Sequence, residues 1–361
     1  MPFLNVSYTN FRNLNDATID LLSKEVYFVG ENGQGKSNIL ESLYLISYGN
    51  SFRTNNDKDM IKDGNKEFSV RAEFIQENEL KIKINVLYSE SHKKITKNDK
   101  NVSDRKELIY SIPTVLFCHE DLDFVSGIPE RKRWFLDQTL SMYKKSYLDD
   151  LRIYKKILKT RNNVLKESQY LNEDLLNTLD IQLVNSGIQL IKAREICINA
   201  FNEFFGVLYE NISGISDVEI KYTPSWKNID LESVLETMKN NREVEKTLKT
   251  TISGPHRDRI GFTREKKLFI PSASTGQRRI LSLLLRVAQA KHINNETEIR
   301  PILLMDDVLL ELDIEKREKF INLLPEYDQL FCTFLPQEPY QKYMSNDTKI
   351  YKISEGKWNN A

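Results

Sequence analysis

Gly30-Glu31-Asn32-Gly33-Gln34-Gly35-Lys36-Ser37 places glycines, a lysine and a hydroxyl residue at the spacing GxxxxGK[ST]. Such glycines let backbone N–H groups turn inward around phosphate oxygens, Lys36 brings a point charge to the β and γ phosphates, and Ser37 offers a hydroxyl to Mg²⁺. The expected ligand is ATP with Mg²⁺. That chemistry requires a strand before the loop and a helix after it. Glu25 to Val29 reads as a short strand ending at a glycine, and Asn38 to Gly49 carries Ile39, Leu40, Leu43, Tyr44 and Ile46 at helical spacing.

A second segment, Ile302-Leu303-Leu304-Met305-Asp306-Asp307, is an apolar strand ending in two carboxylates. Asp306 beside Ser37 suits the metal, and Asp307 suits orientation or deprotonation of an attacking water, so Asp307 and Lys36 are the expected catalytic pair. Taken alone, Asp-Asp after a strand is equally a turn or a helix N-cap. Ala273-Ser274-Thr275-Gly276-Gln277 precedes a Leu- and Ile-rich helix from Gln277 to His292. It reads either as an N-cap, at Ser274 or Thr275, or as an anion-binding turn. The order of P-loop, Ser-x-Gly-Gln, Asp-Asp and Glu311-Leu312-Asp313 is that of an ABC-type ATPase, to which the chain is therefore similar. That resemblance implies that Ser274, Gly276 and Gln277 close on the nucleotide of a second subunit, giving an ATP-dependent homodimer.

The elements that must position these groups lie at both ends of the chain. Short strands at Phe3–Tyr8 and Ala17–Leu21, an alternating antiparallel pair between Phe68 and Tyr88, and a strand at Thr114–Cys118 precede a change of pattern at Arg131. Lys93 to Lys106 reads as an exposed basic turn. From Arg131, apolar residues recur at spacings of three and four to Leu165, and a second such run goes from Leu171 to about Tyr209, giving an antiparallel helical pair. Sheet-like pattern resumes after Pro255, followed by a helix at Glu315–Leu323 and a strand at Leu330–Phe334. The expected fold is thus α/β: an ABC-type P-loop ATPase head of mixed sheets around the P-loop helix, from residues 1–130 with 250–361, and an α-helical second lobe at 131–249.

Lys plus Arg and Asp plus Glu both number 52 in 361 residues, so net charge gives no general pull toward nucleic acid or acidic membranes, and any polyanion contact must be local. Cys118, Cys197 and Cys332 are odd in number and far apart, and His92, His119, His256 and His292 have no metal-ligand spacing, which argues against a disulfide frame or a zinc site. With no leader-like start and no long uncharged run, a cytoplasmic protein without a membrane partner is expected.

Asn10-Phe11-Arg12-Asn13, the P-loop, Ser51-Phe52-Arg53, Pro113 to Phe117, Glu120-Asp121-Leu122, Ser126-Gly127, Arg131 to Asp137, Ser253 to Asp258 and Asp306-Asp307-Val308 together resemble the RecF family of bacterial gap-repair ATPases, in order and over nearly the full chain. That family resembles the heads of SMC proteins with a short helical lobe. The resemblance implies a weak, DNA-stimulated ATPase of recombinational repair, replication restart and the SOS response. It would bind gapped or junction DNA without reading sequence, and would help RecR-like and RecO-like mediators load recombinase onto single strands. Three positions depart from the family pattern: Arg278 follows Gln277, Leu310 precedes the Glu-Leu-Asp turn, and Phe334-Leu335 supplies no switch histidine. For DNA phosphates the candidates are Lys93, Lys94, Arg131, Lys132, Lys144 and Lys145, although Arg131 to Arg133 beside Trp134 equally suit packing, and lysines on helix faces are commonly just solvated. Two rival readings are an ABC-type motor subunit of another complex and an ATP-gated clamp that works by binding alone.

Overall fold

The computed structural model describes residues 2–76, 80–166 and 172–360. In chain order the elements are β1 (Phe3–Thr9), β2 (Thr18–Asp20), β3 (Glu25–Val29), α1 (Lys36–Tyr48), β4 (Phe68–Ile75), β5 (Lys81–Ser89), β6 (His92–Lys97), β7 (Lys100–Asn101), α2 (Lys106–Ile109), β8 (Thr114–Phe117), α3 (Leu122–Ser126), α4 (Pro129–Tyr143), α5 (Tyr147–Lys166) and α6 (Glu173–Ser213). They continue with β9 (Val218–Thr223), α7 (Leu231–Asn240), α8 (Arg242–Leu248), β10 (Arg259–Arg264), β11 (Lys267–Leu268), α9 (Thr275–Thr297), β12 (Ile302–Met305), α10 (Ile314–Asn322), β13 (Gln329–Phe334), β14 (Thr348–Ser354) and β15 (Lys357–Asn360). Two compact units result, Met1–Glu120 with Gln289–Ala361, and Asp121–Ala288, the dividing line falling inside α9.

The first unit holds two sheets. One, in the order β2-β1-β4-β5-β6-β7, is antiparallel, and its central strands alternate buried and half-buried residues as a sheet with one wet face should. The other runs β15-β14-β3-β13-β12-β8, parallel except for β15, and β3, β8, β12 and β13 are buried at every position. Helix α1 contacts β4 and β5 of the first sheet and β8, β12 and β13 of the second, which is why it is buried on almost all sides. Its buried polar groups are accordingly satisfied: Glu41 takes both Arg12 Nε and Nη2 at 2.9 and 2.7 Å, Ser42 pairs with Tyr8, and Ser47 accepts from Thr114. The segment read as an exposed basic turn, Lys93 to Lys106, instead contains β6, β7 and the start of α2. The turn itself shrinks to Asn98 and Asp99, both at positive φ, a conformation these two residue types tolerate.

The second unit is mainly helical but also carries a three-stranded sheet, β11-β10-β9, and it extends beyond the approximate 131–249. Residues 121–130 and 250–288 belong to it, because β10 pairs antiparallel with β9 along its whole length and carries the following segment, including Ser274 to Gln277, into this unit. The first helical run is broken by the extended Lys144 into α4 and α5; the second begins, within the described residues, at Glu173, while Leu171 lies outside them. Two buried arginines bind the unit together. Arg161 meets Asp180 at 2.6 Å and Glu245 at 2.7 Å. Arg194 on α6 donates to Asp137 on α4 and to Asp258, each at 2.8 Å, and to the Pro255 carbonyl at 2.7 Å. The Arg131–Asp137 and Ser253–Asp258 segments, far apart in the chain, thus meet at one guanidinium. Replacing Arg194 by Met should cost roughly 3–5 kcal/mol, because two buried carboxylates lose their cation. Urea unfolding measures this, and a loss under about 1 kcal/mol would show that the carboxylates find other partners.

Among the described residues no helix is long and apolar enough to cross a membrane, and no group of three or more His, Cys, Asp or Glu is placed to hold a metal.

Candidate functional site

The P-loop of the first unit is built as its residue types require. Gly35 sits at φ 113°, outside the range of an ordinary L-residue, and caps α1, its carbonyl accepting from the amides of Asn38 and Ile39. Gly33 is at φ 78°. Glu31, Asn32 and Gly33 are exposed, whereas Gly30 and Lys36 are buried. Lys36 Nζ donates to the carbonyls of Gly30 at 2.7 Å and Glu31 at 3.1 Å, so its ammonium is held under the loop with its direction set.

The chain's last hairpin fixes the loop from outside. The Glu355 amide donates to Gln34 Oε1 at 2.6 Å and the Gly356 amide to the Gln34 carbonyl at 2.9 Å. Gly356 is at φ 73°, and a Cβ there would lie 1.9 Å from the Asn13 carbonyl oxygen, so only glycine serves at this turn. A cavity of 520 Å³ lined by Gly30, Glu31, Gln34, Pro336, Tyr340 and the end of β14 adjoins this clamp. A further chain of polar contacts runs behind the loop: Asn13 Nδ2 donates to the Gly33 carbonyl, Asn38 Nδ2 to Asn13 Oδ1, and Arg53 Nη1 to Asn38 Oδ1. This ties the Asn-Phe-Arg-Asn and Ser-Phe-Arg segments to the P-loop.

The expected metal pair is brought together: Ser37 Oγ donates to Asp306 Oδ1 at 2.8 Å. A hydroxyl and one carboxylate are hard oxygen donors, which suits Mg²⁺, an ion that keeps most of its waters and takes the rest of its shell from substrate phosphates. Burial pushes the Asp306 carboxyl up from 3.8 to about 6, the Ser37 hydrogen bond opposes this, and the negative charges of Asp307 and Glu120 add to the rise while Arg53 counters it. The folded state therefore holds this proton more tightly than the unfolded chain between about pH 4 and 6, and opposes folding once the group ionises. It follows that Asp306→Asn should stabilise the metal-free protein at pH 8, by roughly 1–3 kcal/mol, while weakening Mg-ATP binding. A fall in the unfolding midpoint would show that the carboxylate is itself needed to hold Ser37 and Thr333 in place.

Thr333 is the residue that sequence reasoning missed. Met305 pairs with Cys332 in the parallel β12–β13 register, so the next residue of β13 lies beside the two carboxylates. Its hydroxyl donates to Asp307 Oδ1 at 2.8 Å and itself accepts the Asp307 amide at 2.8 Å. Asp307 is at φ 52°, turned out of strand geometry at the end of β12. Phe334, where a switch histidine was sought, is instead packed against Tyr27, Tyr340 and Tyr343, and the signal for Thr333 would have been its place one residue earlier on the same strand. His119 meets Glu311 at 2.9 Å at the surface of this unit.

In the second unit, Ser274 Oγ accepts the Gln277 amide at 3.2 Å and Gln277 Oε1 accepts the Ser274 amide at 2.7 Å, a reciprocal capping box at the start of α9. Ser274, Thr275 and Gly276 are exposed, and Arg278, one of the departures, closes the turn by donating to the Ala273 carbonyl at 3.0 Å. The DNA candidates are divided between the two units. Lys93 and Lys94 lie in the first unit, Lys93 bonded to Asp57 at 2.8 Å. Arg131 packs on the rings of Phe124 and Trp134 and pairs with Asp123 at 3.5 Å. Lys144 and Lys145 are exposed past the far end of α4 from Lys132, about 20 Å along a helix of this length.

The RecF/RecN/SMC N terminal domain family matches residues 4–358. The DNA replication and repair protein RecF of Treponema pallidum is 47% identical, with 96% of this chain and 98% of that one covered. The protein of the same name from Oenococcus oeni is 32% identical with 98% of each covered. Among solved structures, the recombination mediator protein RecF with ATP, of the RecFOR pathway, superposes with a TM-score of 0.90 at 27% identity, covering 100% of this chain and 97% of that one. An SMC head bound to the C-terminal winged-helix domain of ScpA shares the fold, with a TM-score of 0.61 at 14% identity, 100% of this chain and 97% of that one being covered. With its P-loop and carboxylate strand joined in an α/β head, and with full-length relatives at this identity, the chain belongs to the RecF family of DNA replication and repair proteins.

Proposed function

We propose that this protein binds Mg-ATP on the P-loop, dimerises around it, grips gapped or junction DNA through phosphate contacts, and helps RecO-like and RecR-like mediators load recombinase. Slow hydrolysis resets the dimer. The observation that carries the ATP part is the 2.8 Å bond from Ser37 to Asp306, which brings the two halves of a P-loop site, 269 residues apart, into contact. Mg²⁺, when bound, neutralises charge between the β and γ phosphates. Lys36, released from the Gly30 and Glu31 carbonyls, turns its ammonium to the same phosphates. Asp307, aimed by Thr333, takes the proton of the attacking water. The exposed cap that begins at Ser274 supports a role for α9 in meeting the nucleotide of a second subunit, as do the 27% identical ATP-bound and ATPγS-bound RecF structures for nucleotide binding.

Sedimentation with ATP, ADP or neither, with and without gapped DNA, tests the reading. ATP should give a dimer, tighter on DNA, where joining two binding surfaces makes the second contact intramolecular. Ser274→Arg should leave monomer ATP binding nearly intact and block the dimer, because a bulky cation fills the turn meant for the partner's phosphates. Normal dimerisation of this variant would remove the signature assignment.

A further inference from the structure

The second unit carries two adjoining cavities, of 630 and 450 Å³, that share Thr223 and Arg259 in their walls. The first is also lined by Arg257, the second by Lys132 and Lys221, and no described carboxylate lines either. None of these four cations has a carboxylate partner among the described residues; Arg257 makes one long bond, 3.5 Å, to the Thr251 carbonyl. By contrast, the buried arginines Arg161, Arg194, Arg242 and Arg286 of the same unit are each placed against carboxylates.

The strands explain the arrangement. Lys221 pairs with Gly261 and Thr223 with Arg259 in the β9–β10 register, so all four point from the same face of the small sheet. Lys221, Thr223 and Arg259 are exposed, while Ile220 and Phe262 on the other face are buried. Gly261 leaves the middle of that face open, since a Cβ there would meet nothing within 4 Å, and Leu268, 70% exposed, flanks it. Lys132 reaches the same cavity from α4, half-buried, and burial lowers its pKa, which an approaching anion would reverse. Asp258, the carboxylate between Arg257 and Arg259, is buried and turned inward to Arg194. Glu195 and Glu219 line a third cavity that Lys221 also borders; Glu219, two residues before Lys221 on the same face of β9, marks the limit of the positive surface.

We propose that the open face of this three-stranded sheet, with Lys132, Lys221, Arg257 and Arg259, is a binding surface for the phosphate backbone of duplex DNA. The class of partner rests on the repair reading above; the location does not use the residues named from sequence, apart from Lys132. Duplex is favoured over single strand because the surface offers no exposed aromatic ring for base stacking: the one ring in its lining, Phe262, is buried. Unpaired, exposed cations around an open floor suit phosphates held by charge, without base readout.

The test uses the full-length protein with ATP and a labelled blunt duplex, anisotropy being followed across a salt series. Lys221→Glu with Arg259→Glu should weaken duplex binding by at least about 10-fold and reduce the log–log salt slope by about 2, one for each phosphate that is no longer neutralised. Lys221→Arg with Arg259→Lys should stay within about 2-fold of wild type, and ATP binding should be unchanged in both. Unchanged duplex affinity and slope in the charge-reversed protein, with wild type binding well, would overturn this surface and leave the repair reading standing. Failure of wild type to bind any DNA at low salt would overturn both. Displacement of duplex by polyglutamate as effective as by unlabelled duplex would assign the surface to an acidic protein instead, and a loss confined to single strands would overturn the preference for duplex.

Discussion

Asp307→Asn should bind ATP as wild type does and hydrolyse it roughly 10²–10⁴-fold more slowly, the range expected when general-base assistance is removed. The substitution is clean for a structural reason. Asp307 sits at φ 52°, a conformation that Asn tolerates at least as well as Asp, and its Oδ1, which accepts from Thr333, is retained in the amide. What changes is charge on the atom facing the water. Asp306 and Ser37 are untouched, so metal and nucleotide should still be held, and the variant should accumulate as an ATP-bound dimer that stays on DNA. Single-turnover hydrolysis alongside sedimentation makes the comparison. Wild-type turnover, or loss of ATP binding, would take the catalytic role away from Asp307. Thr333→Val should act in the same direction but more weakly, since it removes only the group that aims the carboxylate.

Lys36→Met should lower ATP affinity by about 10²–10⁴-fold, from the loss of two charge-assisted bonds worth about 1.5–3 kcal/mol each, and should abolish the ATP-dependent dimer. Lys36 is only 3% exposed and its ammonium bonds two loop carbonyls, which it exchanges for phosphate oxygens when the nucleotide enters. Met preserves the length and packing of the stem. A nucleotide titration and sedimentation with ATP report the two effects separately. Undiminished ATP binding by this variant would sink the P-loop assignment itself.

These two residues differ in how they become visible. Lys36 is named by its own neighbours: eight consecutive positions carry the glycines, the cation and the hydroxyl, and a strand and helix flank them. Ser274 and Gln277 are similarly local, and their capping box follows from a spacing of three. Asp306 and Asp307 were ambiguous after their strand alone and took their meaning from the P-loop that precedes them in the chain. Thr333 had no such signature, because its role comes from the parallel register that sets β13 beside β12.

The chain by itself therefore determined the P-loop, the carboxylate strand, the helix cap at Ser274 and the family, since each is written in contiguous residues or in the order of several short segments. Tertiary structure alone decided that Gly356 clamps Gln34, that Arg12 neutralises Glu41 inside a helix buried between two sheets, and that Arg194 joins Asp137 to Asp258. It also moved residues 250–288 into the second unit and placed Lys221 and Arg259 on one open sheet face. The physical reason is the same in each case. Periodicity reports which face of an element is apolar, but strand register and the partner of a buried charge depend on residues tens or hundreds of positions away, whose placement is settled only when the core closes.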